Sequence, residues 1–122
     1  EKDEISVVND QVGTPTYVVN LAAMIWRVLE VKPAARIWHF SDAGAISWYE
    51  FANAVFAEAK AAGIIDKQPR VIPTRSSDMN FAAPRPAFSV LDKQQTWTEL
   101  SIEAVHWRRS LINMLAAMVS HG

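Results

Sequence analysis

The change of residue periodicity between Arg36 and Thr74 constrains the fold more than any other feature of the chain. Arg36-Ile37-Trp38-His39-Phe40 reads as a strand and Ser41-Asp42-Ala43-Gly44 as a turn. Ser47-Trp48-Tyr49-Glu50 has the spacing of a capping box, in which a serine oxygen serves an orphan helix N–H and a glutamate reaches back. The helix it opens carries Phe51, Val55, Phe56 and Ala59 on one side and stops at Gly63. Arg70-Val71-Ile72-Pro73-Thr74 then reads as a strand whose proline places it at an edge or an end. Strand, helix and strand within about 40 residues predict a βαβ unit, with parallel strands joined by a right-handed crossover. The fold class is therefore α/β: a small mixed domain with flanking helices.

The remaining segments fit that frame. Ile5-Ser6-Val7-Val8 is a short β-branched run, followed by crowded turn residues from Asn9 to Thr16. Asn20 is the expected N-cap of a helix whose apolar face is Leu21, Met24, Ile25, Val28 and Leu29, ending before Pro33. Arg75 to Val90, containing Pro84 and Pro86, predicts a long irregular loop of the kind that often carries function. Asp92 caps a short helix to about Leu100. A last helix, about Val105 to Val119, turns Trp107, Leu111, Met114, Leu115 and Met118 inward and leaves Arg108 and Arg109 off that face.

Composition narrows the function. The chain has 122 residues, with 12 basic against 13 acidic side chains for a net charge of −1. A nucleic-acid binder or a polybasic membrane-surface module carries a basic surplus, so neither class is expected. No apolar run reaches the ~20 residues of a membrane span. The absence of cysteine excludes disulfides, zinc thiolates and cysteine nucleophiles, and fits a cytoplasmic protein. The opening Glu1-Lys2-Asp3-Glu4, without an initiator Met or a signal peptide, reads as the start of a piece of something longer. Glycines at 13, 44, 63 and 122 cannot make a Gly-rich phosphate loop. Neither Tyr17 nor Tyr49 has a lysine four residues on, and His39, His106 and His121 lack metal-ligand spacing. The residues alone thus describe a small α/β domain without self-contained catalytic machinery.

Four strings in register carry a resemblance. Asp10-Gln11-Val12-Gly13-Thr14-Pro15-Thr16 followed by Leu21-Ala22 is similar to the D-Q-x-G-x-P-T…L-A segment of the dTDP-4-dehydrorhamnose reductases. Trp38-His39-Phe40-Ser41, Ala43-Gly44 and Ser47-Trp48-Tyr49-Glu50-Phe51-Ala52 resemble that family's next segment. Pro84-Arg85-Pro86-Ala87-Phe88-Ser89-Val90-Leu91-Asp92 and Trp107-Arg108 with Ser110-Leu111 resemble its R-P-x-x-S-x-L-D and W-R-x-x-L strings. The resemblance implies that residues 1–122 are a single C-terminal substrate-binding domain of a Rossmann-type reductase. It places the N-terminal Rossmann half, with its Tyr-x-x-x-Lys pair and its NADPH or NADH, outside this chain. The implied reaction, in the last step of dTDP-L-rhamnose synthesis, reduces the 4-keto group of a nucleotide sugar. A non-catalytic relative of the same fold, the regulatory β subunit of methionine adenosyltransferase, is the alternative. Asn20 and Met79-Asn80-Phe81-Ala82-Ala83 depart from the family pattern.

The candidate substrate-binding residues are Arg85, Gln11, Thr16 and Asp10; no catalytic, cofactor-binding or metal-binding residue is expected. Arg85, between two prolines, suits a bidentate phosphate contact; its alternative is a tie to backbone carbonyls or to Asp92. Asp10 and Gln11 can hydrogen-bond a sugar or the partner half; their alternative is an Asx-turn and a satisfied buried amide. Thr16 can donate to a ligand from a loop that Gly13 and Pro15 shape. His39, His106 and Glu50 read as structural. Trp48 and Tyr49 read as an interdomain anchor, and the load of five tryptophans predicts surface that the other half covers, or self-association of the chain alone.

Overall fold

The computed structural model describes residues 3–34 and 37–121. Two short sheets and four helices follow one another: β1 (Glu4–Val8), β2 (Val12–Gly13), α1 (Val18–Val31), β3 (Ile46–Ser47), α2 (Trp48–Ala61), β4 (Arg70–Thr74), α3 (Gln94–Glu99) and α4 (Trp107–Ser120). A single 3-10 turn, Ser76–Asp78, follows β4.

The parallel pair exists, but its partners differ from the βαβ expectation. β4 pairs with β1, in register from Glu4 opposite Arg70 to Val8 opposite Thr74. Residues 37–40 form no strand, and Arg36 lies outside the described residues. The reason is where the backbone bonds go: the His39 carbonyl accepts from the Thr96 hydroxyl at 2.6 Å, a side chain taking the place of a ladder partner. The crossover between β1 and β4 therefore contains both α1 and α2, and α2 packs on both strands. Among the described residues β4 has one strand neighbour, β1, as suits a strand that carries Pro73.

The capping box at Ser47 forms as expected. The Ser47 hydroxyl accepts from the Glu50 N–H at 3.2 Å, and Glu50 Oε2 accepts from the Ser47 N–H at 3.1 Å. At the far end Gly63, with φ of 70°, lets the Ile64 N–H return to the Ala59 carbonyl. Asn20 is not a cap: α1 starts two residues earlier, with Tyr17 at the boundary. Asp92 lies one residue outside the α3 boundary, and its carboxylate accepts from the Gln94 N–H.

The core lies between α2 and α4, where Ala54, Ala59, Trp107, Leu111 and Leu115 are buried with Phe51, Val55 and Met114 against them. Trp48, Phe51 and Trp107 form an edge-to-face chain with centroids 6.1 and 5.9 Å apart. Met118 lies beyond this core and is exposed. The apolar face expected of α1 points inward only in part: Met24 is buried and Val28 half-buried, whereas Leu21, Ile25 and Leu29 face solvent.

Candidate functional site

Two clusters surround the segment between β1 and α1. The first joins it to the loop after β4. Asp10 Oδ2 and Oδ1 accept from the Ser76 N–H at 2.9 and 3.1 Å, and Oδ1 also accepts from the Ser76 hydroxyl at 2.6 Å. These bonds hold the Asp10 carboxyl below its ordinary value, and the charge of Arg75 acts in the same direction. Gln11 is buried, 7% exposed, and its amide donates to the same Ser76 hydroxyl at 2.9 Å. No local Asx-turn is needed to satisfy Asp10; its partner is 66 residues away.

β2 lies between two neighbours. On one side it pairs antiparallel with β3, Val12 opposite Ser47. On the other, the Val12 N–H donates to the Ala87 carbonyl at 2.8 Å and the Val12 carbonyl accepts from the Ser89 N–H at 2.9 Å. Gly13 permits this approach, since a Cβ there would lie 2.9 Å from Ser89 Oγ. Arg85 stands two residues before Ala87, exposed, and among the described residues its guanidinium makes no hydrogen bond or ion pair. The alternative ties of Arg85, to backbone carbonyls or to Asp92, are not among the contacts of the described residues, and the Asp92 carboxylate accepts from the Gln94 N–H.

The second cluster is built on Asp42, 3% exposed. Its carboxylate accepts from the Tyr17 N–H at 3.0 Å and from the Asn20 amide at 2.9 Å, and Asn20 also donates to the buried Ser110 hydroxyl at 2.9 Å. Thr16 is engaged twice: its hydroxyl donates to the Thr14 carbonyl and accepts from the Asp42 N–H. Thr16, Asp42 and Ser110 are polar side chains in the wall of a mostly apolar cavity of about 490 Å³ between the start of α1, α2 and α4, lined also by Phe51, Val55 and Leu111. Of the four sequence candidates, the structure brings Asp10, Gln11 and the loop that carries Arg85 together around Ser76 and β2, and sets Thr16 beside Asp42. The sequence reading missed Ser76 and Asp42; an aspartate in a turn before a helix-capping serine was the only signal for the latter.

All four helix starts are already served by side chains, Asp92 at α3 included. Asp42 faces the start of α1, Glu50 the start of α2, and His106 Nδ1 accepts from the Arg108 N–H at the start of α4. Carboxylates complement the positive ends of the α1 and α2 dipoles, where a bound phosphate would otherwise sit. Among the described residues no group of three or more His, Cys, Asp or Glu can hold a metal ion, and no helix is long and apolar enough to cross a membrane.

The family model described as RmlD substrate binding domain matches residues 1–120. The chain belongs to this family. Among curated relatives of this domain, a dTDP-4-dehydrorhamnose reductase of Aggregatibacter actinomycetemcomitans is 34% identical, over 94% of the chain and 41% of that protein. A dTDP-4,6-dihydroxy-2-methyloxan-3-one 4-ketoreductase of Streptomyces antibioticus, named as probable, is 36% identical over 88% and 35%. The crystal structure of dTDP-4-dehydrorhamnose reductase from Bacillus anthracis in complex with NADP superposes with a TM-score of 0.80 at 30% identity, covering 96% of the chain and 38% of that structure. A reductase from Clostridium acetobutylicum gives 0.80 at 31%, covering 97% and 40%. The RmlD substrate binding domain seen here thus spans about two-fifths of the length of these relatives.

Proposed function

We propose that this chain is the C-terminal substrate-binding half of an NADPH- or NADH-dependent reductase of the extended short-chain dehydrogenase type, acting on a 4-keto dTDP-sugar. The sugar we assign is dTDP-6-deoxy-L-lyxo-4-hexulose, reduced to dTDP-L-rhamnose for polysaccharide synthesis in the cytoplasm. The observation that carries this reading is the superposition of 96% of the chain on part of a reductase solved with NADP. The relatives favour the reductase over the regulatory alternative, because their names share a dTDP-linked ketone and differ in the sugar.

The dinucleotide does not fit this chain's own residues. Its glycines are isolated, and carboxylates stand at the starts of α1 and α2, where they would repel a pyrophosphate. We therefore assign NADP and the hydride and proton chemistry to the N-terminal Rossmann half outside residues 1–122, which is also the partner for the exposed face of α1. A net charge of −1 offers no counterpart for nucleic acid or an anionic membrane.

Within this half, Arg85 is the assigned diphosphate contact. It is exposed, flanked by Pro84 and Pro86, and carried on a loop fixed to β2. Thr16 shapes the neighbouring loop, its hydroxyl being used within the fold. A charge-assisted bidentate contact is worth roughly 1.5–3 kcal/mol, so Arg85→Ala in the full-length protein should weaken dTDP binding about 10- to 150-fold. NADP affinity should hold, and Arg85→Lys should restore part of the loss because it keeps the charge without the planar fork. Unchanged dTDP affinity beside a lowered melting temperature would retire the assignment.

A further inference from the structure

Three consecutive residues hold both ends of one loop. Asp10 and Gln11 grip Ser76 through its N–H and hydroxyl, and Val12 grips Ala87 and Ser89 through backbone bonds. Between these anchors, residues 77–86 form a strap whose side chains are exposed apart from a half-buried Met79. Arg85 lies at the strap's downstream end.

We propose that Asp10 and Gln11 are positioning residues, which fix the upstream end of the strap so that Arg85 meets a nucleoside diphosphate in one orientation. This rests on the assignment of Arg85 to the diphosphate. Direct contact of Asp10 or Gln11 with the ligand runs against their surroundings. The Gln11 side chain is buried with its nitrogen donated to Ser76, and both Asp10 oxygens already accept from Ser76. A carboxylate would also repel the diphosphate. The Ser76 hydroxyl joins the two grips, donating to Asp10 at 2.6 Å while accepting from Gln11 at 2.9 Å. Releasing one anchor leaves Val12 to hold the other, so the strap would stay attached but lose its fixed path. A bidentate contact is sensitive to such a loss, since misplacement by about 1 Å can cost about 100-fold in an oriented site.

The test is a double-mutant cycle on the full-length protein, with dTDP as the calorimetric probe and NADP affinity as the check on folding. Asp10→Asn should weaken dTDP binding about 5- to 30-fold, and by less than about twofold once Arg85 is already alanine. Ser76→Ala should reproduce the pattern, and Ser76→Thr, which keeps the hydroxyl, should recover most of the affinity. Equal losses from Asp10→Asn with and without Arg85 would mean that Asp10 touches the ligand, and would overturn the proposal. So would an Asp10→Asn protein that binds dTDP normally while Arg85→Ala does not; the Arg85 assignment would survive that result. An Arg85→Ala protein that binds dTDP normally would overturn both.

Discussion

Gly44 is the residue at which the backbone leaves least choice. Its φ is 97°, and a Cβ would lie 2.8 Å from both His106 Nε2 and Trp107 Cδ1. The contact is tight because Ala43 is bonded to both sides of His106: its N–H donates to the Val105 carbonyl and its carbonyl accepts from the Trp107 N–H. Gly44→Ala thus combines an unfavourable φ with a collision against the buried Trp107. A strained non-glycine φ costs about 1–3 kcal/mol by itself. Gly63, at φ of 70°, is the internal control, because nothing lies within 4 Å of its would-be Cβ. Thermal melts should show Gly44→Ala losing clearly more stability than Gly63→Ala; equal losses would mean the His106–Trp107 wall yields. The sequence displayed Gly44 as a turn residue, but the wall comes from residues about 60 positions away, which no local pattern displays.

At the scale of elements, locality separates what could be read from what could not. The Ser47–Glu50 box was legible because its donors and acceptors lie within four consecutive residues. Ser47→Ala should cost about 1 kcal/mol by this argument. The Ser47 hydroxyl and N–H hold the Glu50 carboxyl below its ordinary value. A lowered folded-state value means the stabilisation is complete above the ordinary carboxylate range and is lost as pH falls through the folded value. The loss should be small, because Glu50 is exposed. Melting temperatures from pH 7 down to 3 should fall less steeply for Ser47→Ala than for the wild type; parallel curves would refute the coupling. Residues 37–40 were misread for the opposite reason. Their β-like composition is genuine, but the partner that satisfies His39 is a hydroxyl on α3. The Asp10–Ser76 grip was invisible likewise: Asp10 drew attention through its family string, while Ser76 is an ordinary loop serine until β4 pairs with β1 and brings it alongside.

For the whole molecule, the decisive feature is a helix that is apolar where nothing among the described residues covers it. Val18, Leu21, Ile25 and Leu29 follow at intervals of three, four and four, one continuous stripe, and are 68%, 37%, 52% and 57% exposed, with Trp26 at 67% beside them. Helical periodicity marked Leu21, Ile25 and Leu29 as a buried face but could not say what buries it. Relatives more than twice as long leave room for the cover proposed above, a cofactor-binding half outside residues 1–122. Exposed apolar patches of a few hundred Å² on an isolated chain seek another partner, and a second copy is always available. The 122-residue chain alone should therefore self-associate in sedimentation velocity at tens of micromolar and bind an apolar dye. Replacing Ile25 and Leu29 together by aspartate should return it to a dye-silent monomer. In the full-length protein the same pair should act in the opposite sense, exposing charge to the apolar face of the other half and lowering its melting temperature. That reversal of sign separates an internal docking face from a dimer interface. If the stripe served dimerisation of the intact protein, the double variant would yield a stable full-length monomer with an unchanged melting temperature at low concentration. If the stripe served neither, both forms would ignore the substitution.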